Sequence, residues 1–199
     1  MDQAIIVRHG ESEFSARRLA SGDPSLPGGG LTQAGREQAH ALGLRLAGDP
    51  IDLCATTEFR RTMETAEIAL AGRDVPRLVL PELNEIRVGE YEGKTFDEYG
   101  TWVRTHGPEE ACPGGGESRV AVAERYARAF RILLERSEAT ILVVAHSLPI
   151  RYALLAADDR DPTAVVDLVE YAVPHRFTRA DVERVAARLE AWCASPVFG

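Results

Sequence analysis

The sequence predicts an α/β protein, a three-layer α/β/α sandwich around a mostly parallel central sheet. Two observations carry this expectation. Residues 4–7 and 140–145 are apolar runs of strand length without polar alternation, as strands buried on both faces require. Segments with helical spacing lie between these and other short apolar runs, and strand–helix order of this kind favours parallel pairing beneath two helical layers.

In chain order, the first strand (4–7) leads into a Gly/Pro-rich loop over 21–30. Thr32 then opens a helix whose apolar positions Ala39, Leu42 and Leu46 recur at helical spacing, and Gly48-Asp49-Pro50 stops it. A second strand is expected over 51–55, a helix over 59–71 and a third strand over 77–80 between prolines. Residues 84–117 read as an irregular lid with four aromatic residues, Tyr91, Phe96, Tyr99 and Trp102, and a Pro-Gly-Gly-Gly turn at 113–116. A long helix over 118–136 follows, with Ala123, Tyr126, Phe130 and Leu133 on one face, and then the strand that ends at His146. The tail alternates a helix, a strand near 165–169 and a last helix over 181–192 with Thr178 as its cap. At 199 residues, without repeats or linkers, the chain is expected to form a single domain, 1–199.

Composition narrows the function classes. Hydrophobic residues make up 45% and charged residues 27%, the proportions of an ordinary soluble protein. A net charge of -8 disfavours a broad nucleic-acid or anionic-membrane surface, so any anion site must be a local concentration of arginine. No apolar run reaches membrane-spanning length, and the first residues carry no charged n-region or cleavage signal. Cys54, Cys112 and Cys193 are odd in number and widely spaced, which suits free thiols in a reducing cytoplasm and supplies no zinc framework. A homodimer is compatible with all of these features.

Both principal apolar runs end on chemistry. The first ends in Arg8-His9-Gly10 and the other in Ala145-His146, and in an open α/β sheet ligand-handling groups gather at the carboxyl ends of strands. Arg8 offers a planar fork of donors suited to a phosphate, and His9 can serve as nucleophile or proton carrier. An Arg-His pair alone is common in solvated loops, and a histidine at a strand end is commonly a satisfied core residue. Two such endings in one sheet are harder to dismiss. A second guanidinium is available in Arg61, just after the second strand at a helix start where backbone N–H groups also favour anions, although a surface ion pair with Glu58 or Glu64 would equally explain an arginine there.

These residues stand in the order Arg8-His9-Gly10-Glu11-Ser12, Arg61, Leu83-Asn84-Glu85 through Gly89-Glu90-Tyr91-Glu92-Gly93, Gly116-Glu117-Ser118 and Ala145-His146. The pattern resembles the histidine phosphatase superfamily, also called the phosphoglycerate mutase-like family, over residues 4 to about 152. The resemblance implies a metal-independent phosphomonoester hydrolase, without a cofactor, acting on a small phosphorylated metabolite. His9 would be the phosphate-accepting nucleophile, Arg8, Arg61 and His146 the rest of the phosphate pocket, and Glu85 the general acid and then base. Two positions depart from the family pattern: Ser15 stands where Asn commonly touches the phosphate, and Ser147 where Gly often follows the second histidine. Both serines are phosphate-side candidates.

Three other readings compete. Cofactor-dependent mutases of the family share this core but have a longer insertion between the acid and the second histidine, whereas Glu85 and His146 are joined here by a short connection. A binding protein that keeps the fold without turnover has no need of the intact set Arg8, His9, Arg61, Glu85 and His146. A metal site built from His9, Glu11, Glu85 and His146 has suitable ligand types, but two arginines in the same pocket would repel a dication. On the leaving-group side the candidates are Arg87, Tyr91, Tyr99, Trp102 and His106.

Overall fold

Strands β1 (Gln3–Arg8) and β4 (Thr140–Ala145) are hydrogen-bonded neighbours in parallel, with Arg8 opposite Ala145. That register brings His9 and His146, each one residue further on, out of the sheet side by side. The computed structural model describes residues 1–199. Along the chain, the remaining elements are α1 (Glu13–Ala16), α2 (Gln33–Arg45), β2 (Leu53–Thr56), α3 (Arg60–Ala69), β3 (Arg77–Val79), α4 (Phe96–Thr105), α5 (Arg119–Leu134), α6 (Ser147–Ala157), β5 (Pro174–Thr178) and α7 (Arg179–Ala194). The sheet order is β3-β2-β4-β1-β5, with all pairs parallel except β1 with β5.

Alternation within the central strands assigns the layers. Ala4 and Ile6 of β1, with Ile141, Val143 and Ala145 of β4, join the larger core with Tyr126, Phe130, Tyr152 and Leu189 from α5, α6 and α7. Ile5, Val7, Leu142 and Val144 face the other way, onto Leu42 and Ala66 of α2 and α3. Helices on both faces make the three-layer α/β/α sandwich and explain why these strands read as unbroken apolar runs. Phe130, 1% exposed, is among the largest buried side chains, and its truncation to alanine costs about 3–5 kcal/mol in such a setting. No helix is long and apolar enough to cross a membrane.

Helix starts follow local chemistry. The hydroxyls of Thr32, Ser118 and Thr178 accept the amides of Gly35, Ala121 and Asp181 at the heads of α2, α5 and α7. The expected strand near 165–169 is absent. Its place beside β1 is taken by β5, and Val169 is buried where its backbone bonds Arg8 and Ser147. The lid is also less irregular than its composition suggests: Thr95 and Glu98 form a capping box that opens α4 within it.

Candidate active site

His9 sits immediately beyond β1, 4% exposed, with its Nδ1 2.7 Å from the carbonyl oxygen of Gly10. A carbonyl only accepts, so Nδ1 carries the proton and Nε2 keeps its lone pair. Nε2 in turn receives the Nε–H of Arg61 at 3.1 Å. Burial, then the charges of Arg61 and Arg8, hold the imidazole well below its usual range, so it is neutral. Gly10 donates its amide to Thr65 on α3 at 3.0 Å. A Cβ on Gly10 would lie 2.4 Å from the Gly35 carbonyl oxygen, so glycine is needed here for the approach of α2's first turn.

Arg61 begins the inner face of α3. Its neighbour Arg60 points outward to Glu64 at 2.7 Å, which settles which of the two arginines makes the surface pair. The Arg61 guanidinium also donates to the Ser21 carbonyl oxygen at 3.0 Å and to His146 Nδ1 at 3.3 Å, and it lies 4.1 Å from the Phe59 ring centroid. Because guanidinium only donates, His146 Nδ1 is the acceptor and Nε2–H donates to Thr57 Oγ1 at 2.9 Å. Thr57 Oγ1 lies 3.0 Å from Thr62 Oγ1, which donates to the Phe59 carbonyl at 2.8 Å. Arg61 thus sets the tautomer of His146 and the hydroxyls accept its Nε2 proton; the ring is wholly buried and held neutral by burial and then by Arg61.

Arg8 lies on the other side. It donates to the Val169 carbonyl at 2.6 Å and its Cζ is 3.8 Å from the centroid of the Tyr171 ring. Val169 also donates its amide to Ser147 Oγ at 2.9 Å, so its burial reflects two backbone bonds to the site. Arg8, Arg61 and Arg119 are buried, and none has a carboxylate within 4.0 Å. Burial lowers the affinity of Arg8 for its proton and takes that of Arg61 down to about 10, which leaves both charged at neutral pH.

A cavity of about 370 Å³ meets this cluster at Arg8, and Glu85, Ser21 and Ser147 line it as well. The Glu85 turn is clamped from behind: Arg125 donates to the carbonyls of Glu82, Asn84 and Glu85 at 2.8, 2.8 and 3.3 Å. Glu117 holds Arg125 through two bonds of 2.9 Å, which gives the Gly116-Glu117-Ser118 segment its structural reason. Burial opposes ionisation of Glu117, but Arg125 and the Arg87 amide outweigh it and keep its carboxyl below the usual range. Glu90 is exposed, and Glu92 accepts the amides of Gly22 and Val88 at 2.8 and 2.9 Å, so neither rival carboxylate lines the cavity.

The structure therefore brings together Arg8, His9, Arg61 and His146, with Glu85 and Ser147 on the adjoining wall. The Ser15 hydroxyl is engaged in the cap of α1, bonding the Ser12 amide at 2.8 Å and the Ser12 carbonyl at 3.0 Å. Of the leaving-group candidates only Tyr99 lines the cavity; Trp102 stacks on His106 at 4.5 Å and Arg87 faces Glu117. The metal set does not converge either: Glu11 takes the Thr32 hydroxyl at 2.8 Å, and no three His, Cys, Asp or Glu side chains share a point of coordination. Sequence reasoning missed Thr57, Thr62, Tyr171 and the Val169 backbone. Only Thr57, at the end of a strand and four residues before Arg61, offered a signal.

Comparison with known proteins identifies the family. The sequence profile of the histidine phosphatase superfamily (branch 1) matches residues 4–194. An adenosylcobalamin/alpha-ribazole phosphatase of Salmonella typhimurium is 34% identical, with 71% of this chain and 72% of the relative covered. A 2,3-bisphosphoglycerate-dependent phosphoglycerate mutase of Gloeobacter violaceus is 32% identical, covering 87% of this chain and 84% of its own. Among solved structures, a putative alpha-ribazole-5'-P phosphatase of Escherichia coli superposes with a TM-score of 0.75 at 26% identity, covering 88% of this chain and 89% of the other. With its sheet, its paired histidines and its matched length, the chain belongs to the histidine phosphatase superfamily.

Proposed function

We propose that this protein hydrolyses a small phosphomonoester through a phosphohistidine at His9. The observation that carries the reading is the neutral His9 Nε2 lone pair, held 3.1 Å from one buried guanidinium in a pocket that adds a second, Arg8. In the first half, Nε2 attacks phosphorus while the bond to the leaving oxygen breaks, and Glu85, protonated, gives that oxygen its proton. Arg8 and Arg61 hold the equatorial oxygens and take up charge as it spreads over them. His146 orients the Arg61 fork. In the second half, Glu85, now a carboxylate, takes a proton from water, whose oxygen attacks phosphorus and releases His9. The three unpaired cysteines suit the cytoplasm as its location.

Phosphotransfer between substrates is the second reading, favoured by the mutase relative that aligns with most of the chain. Brief reaction with a labelled substrate and alkaline quenching separates the outcomes. We expect acid-labile phosphate on wild-type protein, none on His9→Ala, and free phosphate as the product. Label retained in His9→Ala overturns the nucleophile; label returned to an acceptor ester instead of water establishes the mutase. Glu85→Gln should slow alkyl phosphates by about 10²–10⁴-fold, the usual worth of a general acid, and nitrophenyl phosphate far less, because nitrophenolate leaves without a proton. Equal slowing of both would move the acid elsewhere.

A further inference from the structure

The phosphoryl group accounts for two of the three buried arginines, and the third has no role in the fold that explains its charge. Arg119 is 7% exposed and lines the same cavity as Arg8 and Glu85. It shares no hydrogen-bond partner with Arg8, His9, Arg61 or His146. Its bonds are long, 3.4 Å to the Tyr152 hydroxyl and 3.3 Å to the Ala164 carbonyl, and its Nε has no acceptor at all. Tyr99, whose ring centroid is 6.0 Å from the Arg119 Cζ, has a buried hydroxyl that is likewise unpartnered. Burial pushes that hydroxyl up to about 12, so it keeps its proton. A buried guanidinium is normally paired, because desolvating a cation without compensation is costly.

The cavity around it is otherwise mostly apolar, walled by Ile86, Val88, Phe96, Val103, Leu148 and Val165. Four arginines and two carboxylates line it, and of the carboxylates Asp97 faces Arg18 at 3.7 Å while Glu85 is assigned to the proton. No acidic side chain is left for Arg119. We infer that Arg119, with Tyr99 beside it, binds an anionic oxygen group on the leaving group, so that the preferred substrates are phosphomonoesters with an apolar body and a second, distal anion. This rests on the phosphatase reading above and adds the substrate class. A carboxylate and a second phosphoryl group offer the same chemistry to a guanidinium, and the test separates them.

Four phenylpropyl phosphates that differ only in the para substituent provide it: carboxylate, phosphonate, carboxamide and methyl, with nitrophenyl phosphate as a reference. For wild-type protein we expect one of the two anionic esters to exceed the methyl ester in kcat/KM by about 10- to 100-fold, the range for one charge-assisted hydrogen bond, with the gain in KM. The carboxylate-to-phosphonate ratio then identifies the source of the anion. Arg119→Met should abolish the preference, Arg119→Lys should keep part of it, and Tyr99→Phe should reduce it. Each is read as a ratio to the methyl ester in the same variant, so the amount of active protein cancels. If wild type hydrolyses all four and favours the methyl ester, or if the anionic preference survives in Arg119→Met, the inference is wrong and the phosphatase reading stands. If none of the esters is hydrolysed, nitrophenyl phosphate included, the phosphatase reading fails and takes this one with it.

Discussion

At the scale of single residues, the site is governed by which nitrogen carries a proton. The Gly10 carbonyl sets it for His9 and the Arg61 guanidinium for His146, and both rings lie well below the ordinary 6.5 because they are buried beside cations. The unfolded chain has no such penalty. As pH falls through about 6.5 the unfolded histidines take up protons while the folded ones do not, so their contribution to stability is intact above that pH and erodes below it. We expect imidazole NMR resonances of His9 and His146 to stay constant from pH 8 to below 6, and the Tm to fall over that acidic range with a shallower slope in a His9→Gln/His146→Gln double variant. Resonances that titrate near 6.5 would contradict the neutral pocket. His9 and Arg61 were legible in the sequence, since strand ends and helix starts gather ligand groups. The tautomer was not, because it depends on Gly10 folding back and on Thr57 and Thr62 meeting across a turn.

At the scale of elements, the loop after β1 is held where it is by two glycines facing each other. A Cβ on Gly35 would stand 2.0 Å from the Glu11 carbonyl oxygen, and one on Gly10 2.4 Å from that of Gly35. Both neighbours are backbone and neither can rotate away. Gly35→Ala sits in the first turn of α2, where propensity alone would favour it. We expect it to destabilise instead by about 1–3 kcal/mol, the cost of overpacking, or a fall in Tm of about 2–12 °C for a chain of this size. Thermal unfolding decides the matter, and a rise in Tm would show that the loop can yield. Sequence patterning recovered β1 and β4, which are buried on two faces, and also β2, the uncapped α3 and the edge strand β3, which Gly and Pro set off from their neighbours. β5 escaped because it is an edge strand with one buried residue, Phe177, and a leading proline, so it has neither an apolar run nor a clean alternation. The apolar residues 165–169 mimicked a strand because Val165 and Val166 wall a cavity and Val169 serves Arg8 and Ser147. α4 was hidden by its aromatic and acidic composition, although Thr95 and Glu98 spell a capping box.

At the scale of the whole molecule, a chain with net charge -8 buries three guanidiniums without a carboxylate partner, Arg8 and Arg119 along one cavity and Arg61 in the histidine cluster next to it. Such an arrangement lowers the stability of the empty protein and is relieved when an anion enters, so the charges belong to ligand binding and not to folding. Arg119 separates the two roles most cleanly, because Arg61 is engaged by both histidines and Ser21 whereas Arg119 makes only two long bonds. Methionine fills a similar volume and leaves no buried cation. We therefore expect Arg119→Met to raise the Tm of the ligand-free protein, by about 2–4 °C for each kcal/mol of relieved desolvation. Phosphate should raise the Tm of wild type and variant alike, since Arg8, His9 and Arg61 remain, by the increment that binding to the folded state confers. A fall in Tm for Arg119→Met of the size seen on truncating Phe130 would instead make Arg119 part of the core's own structure.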